Sequence, residues 1–185
     1  MRRRLALLAL VALAFIRPLA AQVPSCGATT EPLRADSLAA LGRFWHALRA
    51  APALPRPPRS VPQSLAVLHA RIDTGLGRWK EAGEVLRRVR GRDTLPEAVA
   101  LAAFAAEHLE QWREAEAGFR RVVELATTSA ELRGQALVHL AFAFEALGRR
   151  DSAVVTWRRA AQALPEIADW LALRRAALEP DTTLV

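Results

Sequence analysis

Apolar residues return at three- and four-residue steps along most of the chain, the spacing of one buried helix face. Leu38, Leu41, Trp45 and Leu48 form the first stripe and predict a helix over 34–50. A stretch from Ala51 to Val61 breaks the pattern with prolines at 52, 55, 57 and 58, which predicts an extended linker. Pro62 suits a first helical turn, and Leu65, Leu68 and Ile72 line the helix that follows, up to Gly75 and Gly77. Its partner runs from Trp79 to about Arg90 through Ala82, Leu86 and Val89. Thr94-Leu95-Pro96-Glu97 reads as a capping box opening a helix to about Leu109. The next helix carries Ala115, Phe119, Val122 and Val123. Thr128 to Glu131 offers a second box, before a stripe of Leu137, Leu140, Ala141, Phe144 and Leu147. Val154, Trp157, Ala160 and Leu164 follow up to Pro165, and a last helix spans Glu166 to Leu178. Alternating strand patterns are almost absent. The class is all-α, with about 8 helices.

One phrase organises these elements. Gly77-Arg78-Trp79-Lys80-Glu81-Ala82 returns as Glu110 to Ala115 and as Gly148 to Ala153, with a fainter copy at Gly42 to Ala47. Its alanines, Ala47, Ala82, Ala115 and Ala153, recur 35, 33 and 38 residues apart. A motif at that spacing predicts stacked helical hairpins. Ala115-x3-Phe119 and Ala153-x3-Trp157, with Pro165 beyond, resemble the second half of a tetratricopeptide repeat. Ala70, Ala103 and Ala141 stand twelve residues before the second-helix alanines, at the small position of the first helix. Two helices approach closely only where both present a small side chain. The resemblance covers three repeats over 62–165, with an incomplete hairpin before and a capping helix over 166–178. It implies a right-handed superhelical stack of antiparallel hairpins. The family's first-helix Trp is replaced by Ala66, Val99 and Leu137, and its Tyr by Asp73, Ala106 and Phe144.

The family's groove is lined by first helices. Carried over by register, the resemblance points to Arg71 and Thr74, with Ser64 and Val67, in the first repeat. The second repeat presents Glu97, Ala100, Phe104 and Glu107, and the third Gln135, Val138, Phe142 and Glu145. The implied site has an apolar floor of Phe104 and Phe142 and a mixed rim, suited to an extended or helical partner segment. The competing reading packs both rings against the next hairpin. The Lys/Asn clamp by which some family members hold a C-terminal carboxylate is absent.

Composition alters this picture at the N-terminus. Met1 to Arg4 is basic, Leu5 to Ile16 is unbroken apolar, and Leu19-Ala20-Ala21 ends on small residues. That order predicts a secretory signal peptide over 1–21, with a tail over 22–33. Twelve apolar residues fall short of the ~20 that span a bilayer. The expected location is therefore the periplasm or cell envelope, in soluble form. The net charge of +7 and pI near 11.3 include four leader arginines, and without them the balance is +3. No base-reading motif accompanies it, so nucleic acid is not an expected partner. Arginine pairs at 87–88, 120–121 and 158–159 are phased with the repeat and read as helix-end charges, with Arg88 and Arg120 four residues past Glu84 and Glu116; the competing reading is a basic outer stripe for anionic lipid or a polyanion.

Cys26 is the only cysteine, so no intrachain disulfide forms. It is either a lipidation site or a thiol in the tail. The four histidines lack metal-ligand spacing, and no nucleophile, phosphate-loop or dinucleotide motif occurs. No cofactor or catalytic residue is expected. The leading expectation is an exported adaptor for a protein or peptide. Two others stand beside it. Ala168 to Arg174 is similar to the helical region of soluble lytic transglycosylases, which would make peptidoglycan the partner and the chain a truncated or degenerate relative. The third is an outer-membrane-assembly lipoprotein, tied to acylation at Cys26. The end helices 34–50 and 166–178 offer faces for self-association.

Overall fold

A computed structural model describes residues 31–55 and 61–179. The leader, Cys26, the tail up to residue 30, linker residues 56–60 and residues 180–185 lie outside them. The described residues form nine α-helices and no strand. They are α1 (Glu31–Ala40), α2 (Phe44–Ala50), α3 (Gln63–Gly75), α4 (Trp79–Arg87), α5 (Pro96–His108), α6 (Trp112–Glu124), α7 (Ala130–Ala146), α8 (Arg150–Ala163) and α9 (Ala168–Ala176). The chain is all-α, a stack of helix hairpins. Each helix packs on its neighbours in sequence, and the first helices α1, α3, α5 and α7 also touch in succession.

The repeated phrase is a repeated turn. Gly42, Gly77, Glu110 and Gly148 all adopt the left-handed conformation, with φ of 72°, 73°, 59° and 71°. In each case the next residue donates its N–H back to the helix: Arg43 to Leu38, Arg78 to Asp73, Gln111 to Ala106 and Arg149 to Phe144, at 2.7–2.8 Å. The left-handed residue itself bonds three back, as in Gly77 to Thr74 at 3.1 Å. This is a Schellman ending, which satisfies carbonyls the helix leaves orphaned. The same next residue then caps the following helix, its carbonyl accepting from Ala47, Ala82, Ala115 or Ala153. Two helices thus meet with no spacer between them.

The small positions do what the spacing predicts. Ala70 with Ala82, Ala103 with Ala115, and Ala141 with Ala153 are exposed by 2% or less. Gly118 sharpens the approach of α5 and α6, since a Cβ there would stand 2.7 Å from the Ala103 Cβ. Four residues past each second-helix alanine, Leu86, Phe119 and Trp157 are fully buried. Burying such a side chain contributes roughly 1.5–3 kcal/mol.

Several boundaries differ from the sequence expectation. Residues 34–50 are two helices, because Gly42 and Arg43 make the same turn as the other hairpins. Ala35 and Ala47, again twelve apart, are both wholly buried. Leu41 and Trp45, placed on the buried stripe by a continuous helix, are instead 65% and 63% exposed. The proline-rich stretch does not hold this hairpin apart. Leu68 and Ile72 of α3 share a core with Ala35, Ala39 and Ala47. Pro52 accepts a 2.8 Å hydrogen bond from the buried His69 Nε2, and Pro55 accepts one from Arg88. Pro62 is the cap of α3 rather than its first turn.

The capping boxes also shift. Thr94 lies in a 3-10 turn, Arg92–Thr94, and its hydroxyl donates to the Gly91 carbonyl, leaving Leu95 as the cap. At the second site Ser129 is the cap and accepts from Leu132 N–H at 3.2 Å, while Thr128 donates to the Val122 carbonyl at 2.7 Å. The α4 helix stops at Arg87. Pro165–Ile167 is a 3-10 turn, so the last α-helix starts at Ala168.

Candidate functional site

The first-helix face is where the resemblance implied a groove, and its residues are largely engaged with one another. Arg71, one residue past buried Ala70, donates to Asp36 of α1 at 2.5 Å and to Glu97 of α5 at 2.5 and 3.0 Å. Asp36 stands one past buried Ala35, so the two hairpins contribute matching positions. Burial would lower the Arg71 pKa, but bonding and charge from Glu97 and Asp36 outweigh it and raise it. The three side chains clamp α1, α3 and α5 together. Thr74 donates to the Arg71 carbonyl of its own helix at 2.9 Å.

The second cluster joins α5 to α7. Glu107 Oε2 lies 2.8 Å from His139 Nδ1. The His139 ring is boxed by Phe104 at 4.6 Å, edge-on, and Phe119 at 5.3 Å, stacked. Gln135 is half-buried one turn before it. At the foot of the cluster His108 lies flat on Trp79, ring centroids 3.7 Å apart and 6° from parallel. Burial pushes the His108 pKa down, aided by His139 and opposed by Glu107.

The third cluster joins α7 to α9. Glu145 accepts from Trp157 Nε1 at 2.7 Å and from Arg174 at 2.6 Å. Phe142 meets Trp157 edge-on at 4.8 Å, and the Arg174 guanidinium sits 5.4 Å from its ring centre. Trp157 in turn meets Trp170 at 6.1 Å. Phe104, Phe119, His139, Phe142, Trp157 and Trp170 therefore run as one line of ring contacts. Such edge-on pairs add about 0.5–1.5 kcal/mol beyond the area they bury.

The structure thus joins Arg71 with Glu97, Phe104 with Glu107 through His139, and Phe142 with Glu145 through Trp157 and Arg174. Asp36, His139, Trp157 and Arg174 complete these groups and were absent from the groove reading. His139 sits two residues before Ala141, and Asp36 one after Ala35, so the alanine register itself carried that information. Three of the six phased arginines act as straps. Arg88 bonds the Pro55 carbonyl, Arg121 the Asp93 carbonyl at 3.2 Å, and Arg120 with Arg149 clasps the buried Glu116.

Chemically, the face offers paired charges and half-buried rings. Among the described residues no three His, Cys, Asp or Glu side chains cluster so as to hold a metal ion. No helix among them is long and apolar enough to cross a membrane. No family model, curated protein or solved structure matches the chain.

Proposed function

We propose that the chain is an exported, non-enzymatic interaction module of the tetratricopeptide-repeat kind, holding a segment of a partner protein against the first-helix face. The observation that supports this most is the shared register of the first helices. Asp36, Arg71, Phe104 and Phe142 each stand one residue past a buried alanine, so one side chain per hairpin addresses the same face. Periodic presentation of that kind suits a partner with its own periodic backbone. The bonds from Arg71 to Asp36 and Glu97 tie neighbouring first helices together within that face, which lowers the ordering cost of binding.

A photo-crosslinking side chain at Ser64 or at Gln135, compared with one at Glu84 on the second-helix side, tests the reading. The expected result is one polypeptide captured from Ser64 and Gln135 and none from Glu84. Equal yield at Glu84, or glycan in place of polypeptide, overturns it. The intact mass of the exported product, starting at Gln22 or acylated at Cys26, separates the soluble from the tethered form.

A further inference from the structure

The register arginines of the second helices do not all find the same partner. Arg88, Arg121 and Arg159 each stand six residues past a second-helix alanine, Ala82, Ala115 and Ala153. Arg88 donates to the Pro55 carbonyl, and Arg121 to the Asp93 carbonyl at 3.2 Å. Both acceptors lie in the segment that leads into the arginine's own hairpin. The first of these segments is also held at Pro52 by His69, one residue before Ala70. Leu54 and Leu95 of the two segments are partly buried against the core beneath. Arg159 has no such carbonyl, and makes no hydrogen bond or ion pair among the described residues. The reason is length. Segments 51–62 and 88–95 lead into the first two of these hairpins, and only 125–129 into the third. The Leu125 and Thr128 carbonyls of that short segment are taken instead by Arg133, at 3.2 Å each. A cavity of about 550 Å³ is left open between α6 and α8. Leu140, at the position His69 holds in the first hairpin, lines it with Phe144, Val123 and the 53%-exposed Val155. Arg159 lines it too.

We propose that this cavity binds an extended, proline-bearing segment of a partner polypeptide, as the first hairpin binds its own residues 52–55. The occupant is read from the two equivalent places that the chain itself fills. In each, an arginine donates to a main-chain carbonyl while a leucine of the same segment reaches the core. A guanidinium has donors only, and a proline main chain offers an acceptor only, so the two suit each other. Pro52 and Pro55 are both held through their carbonyls. Arg120 and Arg159 around the cavity are balanced by Glu124 and Asp151, which favours an uncharged segment over a polyanion. The volume lies within the roughly 300–1,000 Å³ of ordinary ligand clefts. This site lies between second helices, away from the first-helix face, and stands independently of any partner held there.

The probe is an end-capped peptide with the sequence of residues 50–55, Ala-Ala-Pro-Ala-Leu-Pro, titrated into the methyl-labelled protein and followed by NMR. Saturable shifts of the Val123, Leu140 and Val155 methyls are expected, with a dissociation constant on the order of 1 mM or below, as suits so small a contact. Arg159→Met removes the donor without breaking any bond of the folded chain, and should weaken binding about tenfold. Val155→Trp fills the cavity from an exposed position and should abolish it. The same peptide carrying Leu54→Asp should not bind. Arg158→Met, beside the register position, and Gln135→Lys, on the first-helix face, should leave the affinity unchanged. No methyl shift at about 5 mM peptide, binding indifferent to Arg159→Met or Val155→Trp, or binding lost with Gln135→Lys overturns the proposal.

Discussion

Glu110 is the one described non-glycine residue with positive φ, and it stands where the other three turns have glycine. A side chain in the left-handed region carries a steric penalty that glycine does not. Glu110→Gly should therefore stabilise the fold, by about 1 kcal/mol, and raise the melting temperature by several degrees. Gly148→Ala should do the reverse by a similar amount. Both are read by thermal melting followed by circular dichroism. A lower melting temperature for Glu110→Gly would show that the side chain of Glu110 carries a contact worth more than the backbone strain. At position 110 Glu-Gln hides the turn that Gly-Arg announces elsewhere. Phase with Ala115 restored it.

Helix existence was legible from apolar spacing, and helix ends were not. Thr94 and Thr128 show why. Both sit before acidic residues in box-like patterns, but the cap goes to whichever residue the preceding turn leaves extended, Leu95 in one case and Ser129 in the other. The first hairpin was read as one helix because Leu38, Leu41, Trp45 and Leu48 fit a single stripe, while the glycine that divides them was visible in the repeat. The candidate site was legible in its residues but not in its pairings, since Arg71–Asp36 and Glu145–Arg174 link elements far apart in sequence. One inter-helix joint adds a pH dependence. His108 of α5 rests on Trp79 of α4 with its pKa depressed by burial. The folded state then favours the neutral ring, so this contact stabilises above about pH 6.5 and is lost as pH falls through the lowered folded value. The wild type should lose more stability than His108→Gln between about pH 7.5 and pH 5, the other three histidines being common to both. Equal losses in urea unfolding would remove His108 from the acid response.

The apolar interior is divided into three groups along the stack. That of α1 and α2 with α3 holds Ala35, Ala39 and Ala47 beside Leu68 and Ile72. The largest, over α5 to α9, holds Phe119, Phe144, Trp157 and Leu171. Three of the five buried members of the first group are alanines, which remove little apolar area from water, so the two ends differ in cohesion. In a stack where each hairpin contacts only its neighbours, opening is graded rather than all-or-none. Native-state hydrogen exchange should show α1 and α2 exchanging first and α6 to α8 last. One common exchange free energy across all nine helices would mean that the Arg71 clamp and the His69–Pro52 bond transmit cohesion along the whole length.

The turn that joins each pair of helices has a consequence for how such a chain changes length. Gly77-Arg78 and Glu110-Gln111 occupy the same conformation and make the same backbone bonds. Removing the stretch from Arg78 to Glu110 would bring Gly77 directly onto Gln111, a junction the molecule already knows how to build. Duplicating that stretch would do the same. A copying slip from one turn to the next would lengthen or shorten the chain by one helix pair and leave a joint of the same geometry.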